Sequence, residues 1–357
     1  MTTRKQYWFI LIFICLSVIA SGQKPTTSEV ELQKRADKLY TSGNFAEAAP
    51  VYSQLLSLFP HDVLYNYRYG SSLVEAGKEK TPAIVYLEFA TKNSLVPEEA
   101  WWYLGKAYMQ KSNFSGASSA FEKFKSIANP SKAKKLEVEL LIANCKNAIE
   151  VSKNRKDIAI LSSRAIKRAG FYTSYDFSET SGKLVPAADQ FLSSLDKSKT
   201  KNPLMFISKD GQNIYYSSYG KGSNAGKDIY QIRKMVNGQW GLPENLGPIL
   251  NSVEDEEYPY LDRDGKTLYF SSRGHTSMGG YDLFKSVFNY NTGQWSVPEN
   301  MGVPINTASD EFFFVPTLTG EQASYSTNFE SNPDEVTFRT ISLAGVNNRF
   351  AIISGTY

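Results

Sequence analysis

The chain has 357 residues, 41% of them hydrophobic and 21% charged, which allows two ordinary domains and excludes global disorder. Lys and Arg number 39 against 36 Asp and Glu, far from the strongly basic balance of a nucleic-acid binder. With only Cys15, Cys145, His61 and His275 as soft ligands, multi-cysteine zinc sites and His-rich metal sites are excluded.

Arg4 and Lys5 precede an apolar run from Tyr7 to Ala20, followed by Ser21, Gly22 and a polar stretch. A charged end, a short apolar core and small residues before a cut describe a secretory signal over residues 1–22. The rival is a membrane anchor, but 14 residues fall short of the roughly 20 needed to span a bilayer as a helix. Ile14 before Cys15 argues against lipidation, since that position requires a small side chain. Export is therefore expected, with cleavage after Gly22. Removal of Cys15 leaves Cys145 alone in an apolar run, where a buried core thiol is expected rather than a disulfide.

From residue 23 to 154 a period of 34 to 35 residues appears. Ala36, Gly70 and Gly105 each open a pattern of small and aromatic positions. After Gly105 it runs through Tyr108, Phe114, Ala117, Phe121 and Phe124, with Trp101 and Leu104 just before. The earlier copies carry Leu39, Gly43, Ala48 and Tyr52, then Leu73, Gly77, Ala83 and Tyr86. The pattern resembles the tetratricopeptide repeat, which implies paired helices stacked into a solenoid whose concave face binds peptides or partner domains. Pro50 and Pro82 break the expected helical pattern. Residues 131–154 are expected to close the stack as a cap helix, and a bracing role towards the next domain is the plainer alternative.

From residue 155 to 345 the texture turns to aromatic, β-prone runs punctuated by Gly, Asn and Asp. Asp210-Gly211 and Asp264-Gly265 each sit between alternating runs, a strong hairpin signal. The copies stay in register: Asp228 with Asp282, Trp240 with Trp295, Asn251 with Asn306, and Asp255 with Asp310. A third copy starts at Glu311, and a vestigial one is expected within residues 157–195. Four short strands per unit imply propeller blades, between three and four of them. The shared text resembles the WD40-like repeat of TolB-type periplasmic proteins. The fold class expected is therefore an N-terminal all-α tetratricopeptide solenoid followed by an all-β WD40-like propeller, with residues 346–357 opening a further β domain or a tail.

Candidate chemistry is sparse. The acidic cluster Glu254 to Glu257, echoed by Asp310-Glu311, offers oxygen ligands or paired carboxylates. Its recurrence at one place in successive units favours turn capping or bracing between blades. Asp262-x-Asp264-Gly265 starts like a calcium loop but lacks the closing Glu. His275 lies in a Gly-rich loop without a nucleophile elbow and is expected on a blade surface. Gly279-Gly280 is expected to make a turn, and Trp240 and Trp295 to lie in the core. No catalytic, cofactor or metal residue is assigned.

The combination resembles Gram-negative envelope proteins in which tetratricopeptide repeats precede a WD40-like propeller and an OmpA-like domain, some serving type IX secretion or gliding. That resemblance implies a non-enzymatic scaffold on the periplasmic side of the outer membrane, binding envelope proteins or peptides and no nucleic acid. Peptidoglycan contact would run only through a C-terminal domain beyond these residues. The alternative is a periplasmic propeller enzyme or sensor acting on glycans or peptides.

Overall fold

A computed structural model describes residues 27–77, 80–177, 182–199, 203–220, 226–329, 331–332 and 334–343. The expected signal, with Cys15 and the cleavage point, and the expected C-terminal strand over 346–357 lie outside the described residues.

The N-terminal half is helical: α1 (Thr27–Thr41), α2 (Phe45–Leu58), α3 (Val63–Ala76), α4 (Lys80–Thr91), α5 (Glu99–Gln110), α6 (Phe114–Ile127), α7 (Pro130–Lys135) and α8 (Val138–Ser152). Asp62 and Asn113 cap α3 and α6 by accepting from Tyr65 N and Gly116 N, satisfying donors that a helix start leaves open. The small positions lie where helices cross. Ala36 and Ala117 are fully buried, and a Cβ on Gly105 would stand 2.5 Å from the Phe121 ring. On Gly70 it would stand 2.7 Å from Leu87 Cγ. Neither proline breaks its helix. Pro82 sits in the first turn of α4, where the missing N–H has no intrahelical partner anyway, and Pro50 is exposed on α2.

The C-terminal half holds three antiparallel sheets. Sheet I orders β2 (Gly182–Pro186), β3 (Leu204–Ser208), β4 (Asn213–Ser218), β5 (Asp228–Arg233) and β6 (Glu244–Asn245). Sheet II orders β7 (Glu256–Leu261), β8 (Thr267–Ser272), β9 (Asp282–Asn289) and β10 (Gln294–Trp295), with β11 (Glu299–Asn300) also on β9. Sheet III orders β12 (Glu311–Pro316), β13 (Gln322–Thr327), β14 (Glu335–Ser342) and then β1 (Ile160–Lys167).

Among the described residues, 157–195 thus form no vestigial sheet of their own. Their first strand pairs with β14 and closes sheet III, and their second joins sheet I beside β3. A strand leaving the helical half is free to fill the outer edge that sheet III lacks, so the pairing is decided by an open edge rather than by repeat identity. One aromatic core runs through all three sheets, with Phe206, Phe270, Phe284 and Phe313 each at most 1% exposed. Burying each such side chain contributes roughly 1.5–3 kcal/mol. A short α9 (Ser194–Lys199) precedes β3.

Candidate functional site

Helices α1, α3 and α5 lie side by side and share a band of aromatic and charged side chains. Tyr40 of α1 donates its hydroxyl to Tyr67 Oη of α3 at 3.3 Å and lies 2.9 Å from Ser71 Oγ. The Tyr67 ring stands 6.2 Å from Tyr103 of α5, and Tyr103 meets Trp102 edge-on at 5.0 Å. Lys106, one turn on, places its ammonium 4.5 Å from the Trp102 ring and 3.1 Å from Glu75 of α3. Arg68 of α3 pairs with Asp37 of α1, whose carboxylate also accepts from the Tyr52 hydroxyl. Burial pushes the Tyr67 and Tyr103 hydroxyls well above the ordinary phenol range, so they stay neutral donors. Tyr67 is buried in the helical core, so what the band presents to a partner is half-buried Tyr40, Trp102, Tyr103 and Lys106, aromatic anchors beside both signs of charge in the manner of a protein-contacting surface. Among the described residues the Trp102 Nε1 proton and Gln110 Oε1 have no partner.

Trp101 and Tyr108, singled out from the repeat pattern, serve packing instead. Both are half-buried at the edge of the helical cores, and Tyr108 donates its hydroxyl to Glu88. Trp102, Lys106, Tyr67 and Tyr103 were not singled out. The signal that would have found them is their spacing across the repeat: Tyr67 and Tyr103 stand 36 residues apart, on successive odd-numbered helices.

Helix α8 joins the halves. One face packs on α6 through Val138, Ile142 and Cys145, and burial pushes the Cys145 thiol up to about 12. The other face meets the loops of sheet II. Asn144 donates to Gly279 O at 2.6 Å and Asn147 to Ser277 O at 3.1 Å, while Met278, 1% exposed, is buried among the helical side chains. Arg273 pairs with Glu137 at 2.6 Å. Gly279 and Gly280 are not turn devices. A Cβ there would stand 2.4 Å from Ala308 C and 1.9 Å from Asp310 Oδ1, so both glycines serve close approach of two loops.

The repeat-marked residues of the β half hold the sheets together. In the hairpins, Asp210 accepts from Gln212 N, and Asp264 from Lys266 N and Thr267 N. Gly211 and Gly265 take φ of +66° and +70°, which suits glycine. Asp255 accepts from Lys227 N at 2.7 Å and Asp310 from Tyr281 N at 3.0 Å, each reaching back into the preceding sheet. Asn251 exchanges two bonds with the Ile229 backbone, and Asn306 does the same with Leu283. Their spare amide protons reach Asn245 and Asn300, which in turn donate to Asp228 and Asp282.

Two buried carboxylates complete the set. Glu256 accepts from Ser252 N, Ser252 Oγ and Ser272 Oγ, and Glu311 from Thr307 N, Thr307 Oγ1 and Thr327 Oγ1. Asp196, which the sequence comparison passed over, repeats this clamp in sheet I with Ser193 and Ser218. Burial outweighs the hydrogen bonds at Glu256 and Glu311 and raises each to about 7. Asp282 is also raised well above the carboxylate range, by burial and then by the Glu311 charge.

His275 is not a surface histidine. Its side chain is 16% exposed, lies 5.5 Å from the Phe284 ring and places Nε2 3.0 Å from Leu250 O, and burial lowers its pKa. Trp240 and Trp295 are half-buried at the core's margin: Trp295 packs against the central aromatic core and Phe288, and Trp240 against the cluster of Met205, Ile214, Tyr216 and Ile232 with Lys234 over its ring. Among the described residues no group of three or more His, Cys, Asp or Glu side chains is placed to hold a metal ion.

The tetratricopeptide repeat family matches residues 34–80. Among solved structures, the tetratricopeptide domain of Sgt2 from Aspergillus fumigatus is similar, at 22% identity over 36% of this chain and 83% of that one, with a TM-score of 0.30. No curated protein matches the chain. Tetratricopeptide repeats are protein-contacting elements, in keeping with the band on α1, α3 and α5.

Proposed function

We propose that the chain is a non-enzymatic interaction scaffold, exported to the bacterial envelope and docking a partner protein on the α1, α3 and α5 band. The observation that carries this reading is the continuous contact from Tyr40 through Tyr67 and Tyr103 to Trp102 and Lys106. Aromatic side chains and paired charges of this kind anchor interfaces, whereas the carboxylates of the β half are engaged in bracing it. The run Tyr7–Ala20 after Arg4 and Lys5 supports export, and the repeated text around Trp240 and Trp295 supports a WD40-like propeller in the β half. Within the envelope, a place beside the outer membrane or in a type IX secretion or gliding complex agrees with the order of the two repeat types.

Cross-linking in native envelopes, followed by purification of the full chain, tests the reading. A defined envelope protein is expected with the wild type and is lost with Trp102→Ala. Recovery of the wild-type chain alone overturns the scaffold.

A further inference from the structure

The three sheets surround a cavity of about 980 Å³, lined from sheet I, sheet II, sheet III and the segment after β1. That volume lies at the upper end of the range for ligand pockets, roughly 300–1,000 Å³. Its floor is a cluster of three rings. Tyr258 stands 5.6 Å from Phe171 and 5.5 Å from Phe312, with planes crossed at 82° and 77°. The walls carry four basic side chains (Lys167, Arg168, Lys199, Lys227) and four carboxylates (Glu257, Asp310, Asp334, Glu335). Lys227 and Glu257 form an ion pair only 11% and 17% exposed, and the Tyr281 hydroxyl donates to Asp255 at 3.2 Å beside it. The hydroxyl of Ser217, also in the lining, is buried with no partner among the described residues.

These features select a ligand class. Rings crossed near a right angle present edges and a notch, which suits a branched or aromatic side chain and denies a sugar the flat face it stacks on. Formal charges of both signs in the lining can pair with a chain carrying acidic and basic residues, whereas a neutral glycan could use them only as hydrogen-bond partners. The inner strands β7 and β12 are bulged, with Tyr258 and Phe313 at φ of +56° and +58°, and Pro259 follows Tyr258. Bulges and proline discourage ladder pairing with an added strand, so recognition falls to side chains.

We propose that this cavity binds an extended peptide segment of a partner protein, seating one apolar side chain on Phe171, Tyr258 and Phe312 while flanking charged residues meet Lys167 and Asp334. Lys167 and Asp334 are both exposed, so the charged contacts form at the mouth with little desolvation. The inference rests on the interaction-scaffold reading and adds a second contact point, separate from the helical band.

The test uses the full chain. Short random peptides displayed on phage are selected on the wild type, and an enriched sequence is synthesised with a fluorophore for anisotropy titration. Affinity is expected to fall about tenfold with Phe171→Ala, the loss of one anchor, and to fall also with Lys167→Glu, an exposed change that leaves the ring floor intact. It is expected to stay at the wild-type value with Trp102→Ala. Loss of affinity in Trp102→Ala with none in the cavity variants overturns the cavity and leaves the helical band standing. Binding of a neutral chito-oligosaccharide measured by calorimetry, itself abolished by Phe171→Ala, with no enriched peptide, overturns the peptide class. Enrichment of no peptide and no oligosaccharide binding overturns the cavity as a site, while the cross-linking of the helical band remains decisive on its own.

Discussion

The two halves solve the same problem of backbone satisfaction by different chemistry. In the helical half the hydrogen bonds run within each helix, so side chains are left to fill space, and the buried set from Ala36 to Phe124 is almost wholly apolar. Its ion pairs stay near the surface, as Lys106 with Glu75 at 31% and 28% exposure. In the β half the sheets are short and the connections long, so loop backbones need partners that the ladders do not supply. Buried Asn251, Asn306, Glu256 and Glu311 supply them, each at 7% exposure or less. Acid–base dependence is therefore concentrated in one half.

The largest expected effect follows from Glu256 and Glu311. Each rises from 4.5 to about 7 on folding, so between those values the folded state holds a proton that the unfolded chain has released. The stabilisation is complete below pH 4.5 and is lost as pH rises through 7. At about 1.4 kcal/mol per unit it amounts to about 3 kcal/mol for each carboxylate. Glu256→Gln with Glu311→Gln is expected to flatten this dependence. The double variant should exceed the wild type in urea unfolding at alkaline pH and approach it in acid. Equal slopes in the two proteins would mean that the serine and threonine bonds keep both carboxylates ionised.

The helical half breaks in another way. Gly105→Ala sets a methyl 2.5 to 2.7 Å from three atoms of the Phe121 ring, which is itself fully buried. Overpacking of that kind costs about 1–3 kcal/mol, against which the better helix propensity of alanine returns about 1. A net loss of up to about 2 kcal/mol, the same at acid and neutral pH, is the expected result in the same unfolding assay. A pH-dependent loss would erase the contrast between the halves.

Much of this contrast was legible in the sequence, because repeats report positions that every copy needs. Gly70, Gly105 and Ala117 were visible as crossing points, and Asp210-Gly211 and Asp264-Gly265 as hairpins. What escaped were contacts without a sequence period. The pairing of β1 with β14 joins residues far apart in the chain, from Ile160 with Ile341 to Lys167 with Glu335, and depends on which edge is left open. Asp196 escaped because α9 shifts it out of register with Glu256 and Glu311, although its partners are again hydroxyl side chains. The band on α1, α3 and α5 escaped because repeat patterns stress the small and aromatic residues between helices, and Trp102 lies beside the stronger Trp101 signal.

The junction places the smallest expected effect where the two chemistries meet. Asn144 is 2% exposed, and its side-chain amide donates at 2.6 Å to Gly279 O, crossing from a helix surface to a loop of sheet II. Asn144→Ala leaves that carbonyl without its donor, a cost of about 1 kcal/mol. The apolar contacts of Met278, Val303 and Ala308 with the helical core remain, so the halves stay docked but less firmly coupled. Thermal unfolding followed by circular dichroism for the helices and by the β-sheet amide infrared band for the sheets tests this. The wild type is expected to give coincident transitions, and Asn144→Ala is expected to bring the helical one lower by a few degrees while the sheets hold theirs. Coincident transitions in both proteins would show that Met278 and its neighbours couple the halves without the asparagine.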